Sequence, residues 1–153
     1  MSFLELEPPQ DLRHPALIAT FRGWSDGGEA ASSAGTWLKE HLDGRRFAKI
    51  NPEEFYDFTV HRPIVRLVDG IYRTLDWPST EFFHARTSDR DLILLVGTEP
   101  NLKWNTFTQL ILDLAKKLGV EILVTLGAFL APVPHSSEVG IMGTAADLEQ
   151  AMS

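Results

Sequence analysis

Leu17-Ile18-Ala19-Thr20-Phe21 is a short, mostly apolar run, and soon after it the period of the sequence changes. From Ala30 the apolar positions Ala30, Ala31, Ala34, Trp37, Leu38 and Leu42 recur at helical spacing. Between the two lies Gly23-Trp24-Ser25-Asp26-Gly27-Gly28-Glu29, where glycine permits backbone angles that a Cβ forbids. The pattern predicts a strand over 17–21, a glycine turn, a helix over 29–42 stopped by Asp43-Gly44, and a short strand over 47–50. A second unit is plainer. Asp91–Gly97 is a continuous apolar strand of the kind buried on both faces in a parallel sheet. Trp104, Phe107, Ile111, Leu114 and Leu118 then mark one face of a helix ending at Gly119, and Glu121–Gly127 reads as another buried strand. The middle is different: Pro52, Pro63 and Pro78 punctuate it, and Ile64–Val68 with Ile71–Leu75 reads as a hairpin around Asp69-Gly70. With a further strand at Glu81–Ala85, residues 51–86 read as a hairpin-rich insertion over an edge or mouth of the main sheet. Residues 1–16 read as an extended lead-in, and 143–153 as the start of a third helix.

The expected class is α/β, a single domain over 1–153 built on a mostly parallel sheet. A doubly wound sheet needs about five strands and a helix on each face. The chain stops as its third helix begins, so a sheet incomplete at the C-terminus is expected.

Composition narrows the classes. The 153 residues carry 14 basic and 21 acidic side chains, a net charge of −7, without a cluster of Lys or Arg beyond pairs, so nucleic acid is not the expected partner. No run approaches the roughly 20 apolar residues that span a bilayer, and Met1–Pro9 lacks a basic region followed by an apolar core. No membrane association is expected, and the cytoplasm is the expected compartment. There is no cysteine, and His14, His41, His61, His84 and His135 show no metal-ligand spacing, so neither a metal nor a cofactor is expected.

Three loops follow the carboxyl ends of the predicted parallel strands: 22–29, 97–103 and 127–137. Ligands of open α/β sheets sit at such ends. Adjacent strands would bring Trp24, Asp26, Glu99, Trp104 and His135 to one crevice. Gly23-Trp24-Ser25-Asp26-Gly27 matches G-x-S-x-G, the turn that exposes a nucleophilic serine, with His135 as base and Asp57, Asp69 or Asp76 as third member. Against this, no glycine-rich oxyanion loop precedes it. Gly23, Gly27 and Gly28 would also let backbone approach a phosphate, but Asp26 and Glu29 repel one and the P-loop lysine is absent. The plainer account is a helix start, Asp26 and Glu29 forming a capping-box-like pair. Asp57, among Phe55, Tyr56 and Phe58, is an acid-base candidate or the solvated edge of an aromatic cluster. Trp37 and Trp104 sit at core spacing.

Several short stretches in order carry a more specific likeness: Gly23–Ala30, Asn51–Phe58, His61-Arg62-Pro63, Asp76-Trp77-Pro78, Gly97-Thr98-Glu99-Pro100 with Trp104, and Thr125–Ala128 through Val133-Pro134-His135. The chain resembles the proteasome assembly chaperone 2 family, particularly its bacterial members. The resemblance implies a three-layer α/β/α fold similar to the nucleoside phosphorylase and hydrolase architecture. In eukaryotes and archaea, members of that family help assemble the proteasome α-ring; for the bacterial branch the role is not established. Two departures stand out. Family members extend past the point matching Ser153, and this chain ends Gln150-Ala151-Met152-Ser153 in place of the tail with a hydrophobic residue and a tyrosine. The family's loop usually reads Asp-Ala-Gly where this chain has Asp26-Gly27-Gly28.

The leading expectation is thus a protein-binding, assembly-chaperone-like role, the partner being proteasome-related or a second copy in a homo-oligomer. The competing expectation is a small-molecule hydrolase or transferase using a crevice of Gly23, Trp24, Ser25, Asp26, Gly27, Gly28, Glu99, Trp104 and His135. A deep pocket with Asp26 and His135 reaching a common point would favour the enzyme; loops packed against one another would favour binding.

Overall fold

The apolar run after Pro15 forms β2 (Ala16–Arg22), and two other apolar runs flank it: β7 (Asp91–Thr98) on one side and β8 (Ile122–Leu126) on the other, both parallel to it. The computed structural model describes residues 3–146. The remaining elements are β1 (Leu4–Leu6), α1 (Ala30–His41), β3 (Arg45–Ile50), β4 (Ile64–Val68), β5 (Tyr72–Asp76), β6 (Thr80–Arg86) and α2 (Trp104–Lys117). Among the described residues the main sheet has six strands in the order β1-β3-β6-β7-β2-β8, and β4 and β5 form a separate two-stranded sheet.

The sheet is mixed, which corrects the mostly parallel arrangement expected from the sequence. Only the β7–β2 and β2–β8 pairings are parallel; β1–β3, β3–β6 and β6–β7 are antiparallel. The reason is connection length. β6 reaches β7 through a tight turn in which Thr87 N–H and Thr87 Oγ–H both donate to Arg90 C=O, at 3.0 and 2.7 Å. A link that short joins only antiparallel neighbours, because a parallel crossover needs about a dozen residues. The 51–86 stretch divides accordingly: β4 and β5 stand apart as the hairpin around Asp69-Gly70, while β6 lies inside the main sheet. The lead-in also contributes a strand, since β1 pairs with β3 and is tied at its ends by Asn51 N–H to Phe3 C=O and Glu7 N–H to Phe47 C=O.

Strand alternation sends Leu17, Ala19 and Phe21 to one face, where they meet Phe107, Ile111 and Leu114 of α2 together with Phe55, Phe82, Ile93 and Leu95. The other face of β2 carries α1, which approaches so closely that a Cβ on Gly35 would stand 2.2 Å from Thr20 Oγ1. Thr20 is buried there and donates to Leu95 C=O at 3.1 Å. β8 is not buried on both faces as its apolar run suggests: Ile122, Leu123 and Val124 are all about two-fifths exposed, because β8 is the last strand of the described sheet and has one neighbour. Trp37 likewise leaves the core and stacks on His41 with ring centroids 3.8 Å apart. Gly143 to Ala146 show no helix, and the rest of the third helix expected there lies outside the described residues.

At the opposite end of the sheet from the candidate loops, Asp91 is fully buried and gathers two arginines and a histidine. Arg13 donates to it from Nη2 at 3.0 Å and from its backbone N–H at 3.2 Å, and Arg86 Nε and His84 Nε2 each stand 3.4 Å away. Burial alone would raise this carboxyl, but the bonds from Arg13, helped by His84 and Arg86, outweigh it and hold the pKa below the usual range. A carboxylate depressed in the folded state stabilises above its unfolded pKa of about 3.9, and that stability is lost as pH falls through the folded value. Asp91→Asn is expected to lower the unfolding free energy at pH 7 by about 2 kcal/mol in urea denaturation. The gap from the native chain should shrink as the pH is taken below about 4.

Candidate functional site

Because β2, β7 and β8 run in parallel register, with Arg22 beside Thr98 and Thr20 beside Leu126, their C-terminal tips end side by side. The loops that leave them are stitched together. Glu99 N–H donates to Arg22 C=O at 2.9 Å, Gly27 N–H to Ala128 C=O at 2.8 Å, and Ala128 N–H to Ser25 C=O at 2.8 Å. The glycines serve this close packing. A Cβ on Gly27 would lie 2.9 Å from the Phe129 Cα, and one on Gly23 would lie 2.5 Å from the Glu99 carboxyl.

The two acids of the rim act as structural acceptors. Glu99 receives Trp24 N–H at 3.0 Å on one oxygen and, on the other, Ser25 N–H at 3.2 Å and Ser25 Oγ–H at 2.6 Å. Burial would raise the Glu99 carboxyl, yet these three donors prevail over it and over the nearby Asp26 charge, so it is held below the usual carboxylate range. It stays ionised at neutral pH. Asp26 is buried at 6% exposure and receives Ala31 N–H at 2.7 Å, Ser32 N–H at 3.2 Å and Ser32 Oγ–H at 2.5 Å. It caps α1, but not in the expected capping box with Glu29. A 3₁₀ turn at Gly27–Glu29 intervenes, with Gly28 and Glu29 at φ of 65° and 57°, and the Glu29 side chain faces Arg22 at 3.8 Å.

The other candidates separate. Trp24 is 95% exposed at the tip of the turn. Trp104 is half exposed, not core, and lines an apolar groove of about 230 Å³ with Phe21, Phe107, Ile111, Leu112 and Leu123. Glu99 and Pro100 also border that groove. His135 sits on an exposed irregular segment and makes no hydrogen bond among the described residues, so no base stands behind Ser25. The triad reading is thereby corrected: the Ser25 hydroxyl is spent on Glu99. Asp57 folds back on itself, accepting from Thr59 Oγ–H and N–H at 2.6 and 2.8 Å, and those bonds hold its pKa down. The third wall, Ala128, Phe129 and Leu130, comes from the 127–137 loop that the sequence places beside the other two, but the sequence does not single out these residues over His135 as the ones that pack on Gly27.

The PAC2 family is matched over residues 20–153. The chain belongs to the PAC2 family. Its fold is similar to that of a PAC2 family protein from Streptomyces avermitilis, with a TM-score of 0.83 and 40% identity over 90% of this chain and 60% of that one. It is also similar to a proteasome-assembly chaperone homologue from Mycobacterium tuberculosis, with a TM-score of 0.81 and 40% identity over 89% and 58% of the two chains. A protein of unknown function from Corynebacterium glutamicum matches with a TM-score of 0.78 and 31% identity, over 89% of this chain and 54% of that one. The chain thus spans about three-fifths or less of the length of these PAC2-type structures. No curated protein matches it.

In this PAC2 chain the rim's order rests on two carboxylates of unequal burial. Asp26→Ala, which strips a buried cap of three donors, is expected to cost about 2 kcal/mol in thermal or urea unfolding. Glu99→Ala lies nearer solvent and should cost less globally, while the Trp24 and Ser25 amides exchange with deuterium roughly tenfold faster as their acceptor is lost. Equal global losses for both variants would contradict the assigned roles.

Proposed function

We propose that this PAC2 chain is an assembly-chaperone-like protein that binds a protein partner through the rim of the sheet. The observation that carries the reading is its 40% identity, over 89% of its length, to the proteasome-assembly chaperone homologue of Mycobacterium tuberculosis. The rim supports it physically. Trp24, Phe129, Leu130 and Val133 are all more than half exposed, and Trp24 is anchored through its own amide to Glu99. A large aromatic on a fixed turn binds a partner with little ordering cost, and tryptophan is prominent among residues that dominate interface energies. The partner is a proteasome-related protein or a second copy of the chain, as a homo-oligomer, in the cytoplasm. Among the described residues no helix is long and apolar enough to cross a membrane. The fold is taken as the three-layer α/β/α type of the phosphorylases and hydrolases, which the helices against opposite faces of β2 support.

The test uses purified chain and purified proteasome α subunits from the same organism, with native mass spectrometry and surface plasmon resonance as readouts. A discrete complex with α subunits, or a defined homo-oligomer, is expected, and Trp24→Ala should weaken it at least about tenfold. A chain that stays monomeric and binds no α subunit at micromolar concentration would overturn the reading.

A further inference from the structure

On the sheet face that carries α1, away from the apolar groove, lies a second concavity of about 310 Å³. Its wall includes Arg22, Lys39, His61, Arg62 and Arg66, contributed by β2, α1, the segment before β4, and β4 itself. Two acids, Asp76 and Glu81, also line it, but both are occupied. Asp76 is paired with Arg66 across the hairpin, and Glu81 takes Arg46 at 2.8 Å and Lys49 at 3.7 Å, neither of which lines the concavity.

The remaining cations have little to balance them. Arg22 meets Glu29 only at 3.8 Å with both side chains largely in solvent, a contact of small worth. Lys39 and Arg62 face no carboxylate within ion-pair distance among the described residues. Lys39 is nevertheless held in place, its ammonium 5.3 Å above the Phe83 ring. His61 Nδ1 stands 2.8 Å from Asn101 Oδ1, which also accepts Asp57 N–H at 3.0 Å. Its Nδ1 is thus engaged by Asn101, and His61 is not counted among the charges of the wall.

A chain with a net charge of −7 thus keeps Lys39 and Arg62 unpaired among the described residues, and Arg22 only weakly paired, around one hollow. Like charges gathered in a concave wall repel one another, and an anion reverses the sign of that energy. We propose that this concavity binds a small, multiply charged oxyanion, a phosphorylated or polycarboxylate molecule of modest size. Its volume lies near the lower end of the roughly 300–1,000 Å³ range of small-ligand sites. Arginine supplies forked donors to such groups and lysine a point charge.

The test is isothermal titration of the full chain at constant ionic strength, with pyrophosphate in one arm and citrate in the other, and with Trp77 fluorescence as an independent readout because that ring lines the wall. Saturable binding of at least one probe is expected; tighter pyrophosphate binding assigns a phosphorylated ligand, tighter citrate binding a polycarboxylate. Arg62→Gln, at an exposed position, and Lys39→Gln should each weaken binding at least about tenfold with unchanged circular dichroism, whereas Lys116→Gln at the end of α2 should leave it unaltered. Absence of binding in both arms, native affinity in Arg62→Gln, or an equal loss in Lys116→Gln would overturn the proposal.

Discussion

The register of β2 between its two parallel neighbours is the constraint from which the rest follows. Seven residues pair with β7 and five with β8, so the three strand tips and the loops that leave them are fixed relative to one another. A slip of one residue would exchange the two faces of β2. It would take Thr20 from beneath Gly35, where only a glycine lets α1 approach, and turn Phe21 away from Phe107. Neither face tolerates the exchange, since one needs a small polar group under a helix backbone and the other a bulky apolar core. The rim is precise because the sheet beneath it has one acceptable alignment.

That precision extends to the hydrogen bonds of the rim. An enzyme built on such a rim would hold a carboxylate or serine with spare bonding capacity near a base. Here Glu99 takes three donors from the glycine turn, Asp26 takes three from the start of α1, and the Ser25 hydroxyl goes to Glu99. Acids so employed have their acceptor oxygens taken up by the turn and the helix start. Their effect is to hold the turn from which Trp24 points into solvent, beside the exposed Phe129-Leu130 pair.

Local periodicity made β2, β7, both helices and the Asp69-Gly70 hairpin legible, and the convergence of the turn at Gly23–Gly28 with Glu99 followed from placing strand ends together. What stayed hidden is non-local. The antiparallel entry of β6 depends on which strands become neighbours, and the sequence of a mixed seven-residue strand such as Thr80–Arg86 does not say so. β1 is three residues whose only distinguishing feature is the partner that pairs with it. The capping of α1 misled through spacing: Asp26 and Glu29 stand three apart as a capping box requires, but the left-handed Gly28 and Glu29 displace the helix start, so Asp26 serves Ala31 and Ser32. The sequence points to His135 because its loop follows β8; the loop's first residues pack on Gly27, while His135 itself lies on an exposed segment without a hydrogen-bonding partner among the described residues.

The two concavities are chemically opposite yet share the same strand tips, and the two-residue period of a β-strand explains how. Phe21 lines the apolar groove and Arg22, the next residue, lines the basic hollow; Thr98 borders the hollow and Glu99 the groove. Successive side chains of an extended strand point to opposite faces, so apolar and cationic walls are built back to back from adjacent residues. The sheet between them keeps the charges of Arg22, Lys39 and Arg62 off the surface that Trp104 and Leu112 expose. A protein of net negative charge is thereby able to keep a cationic recess and an apolar contact face on one small framework, each with its own solvent front.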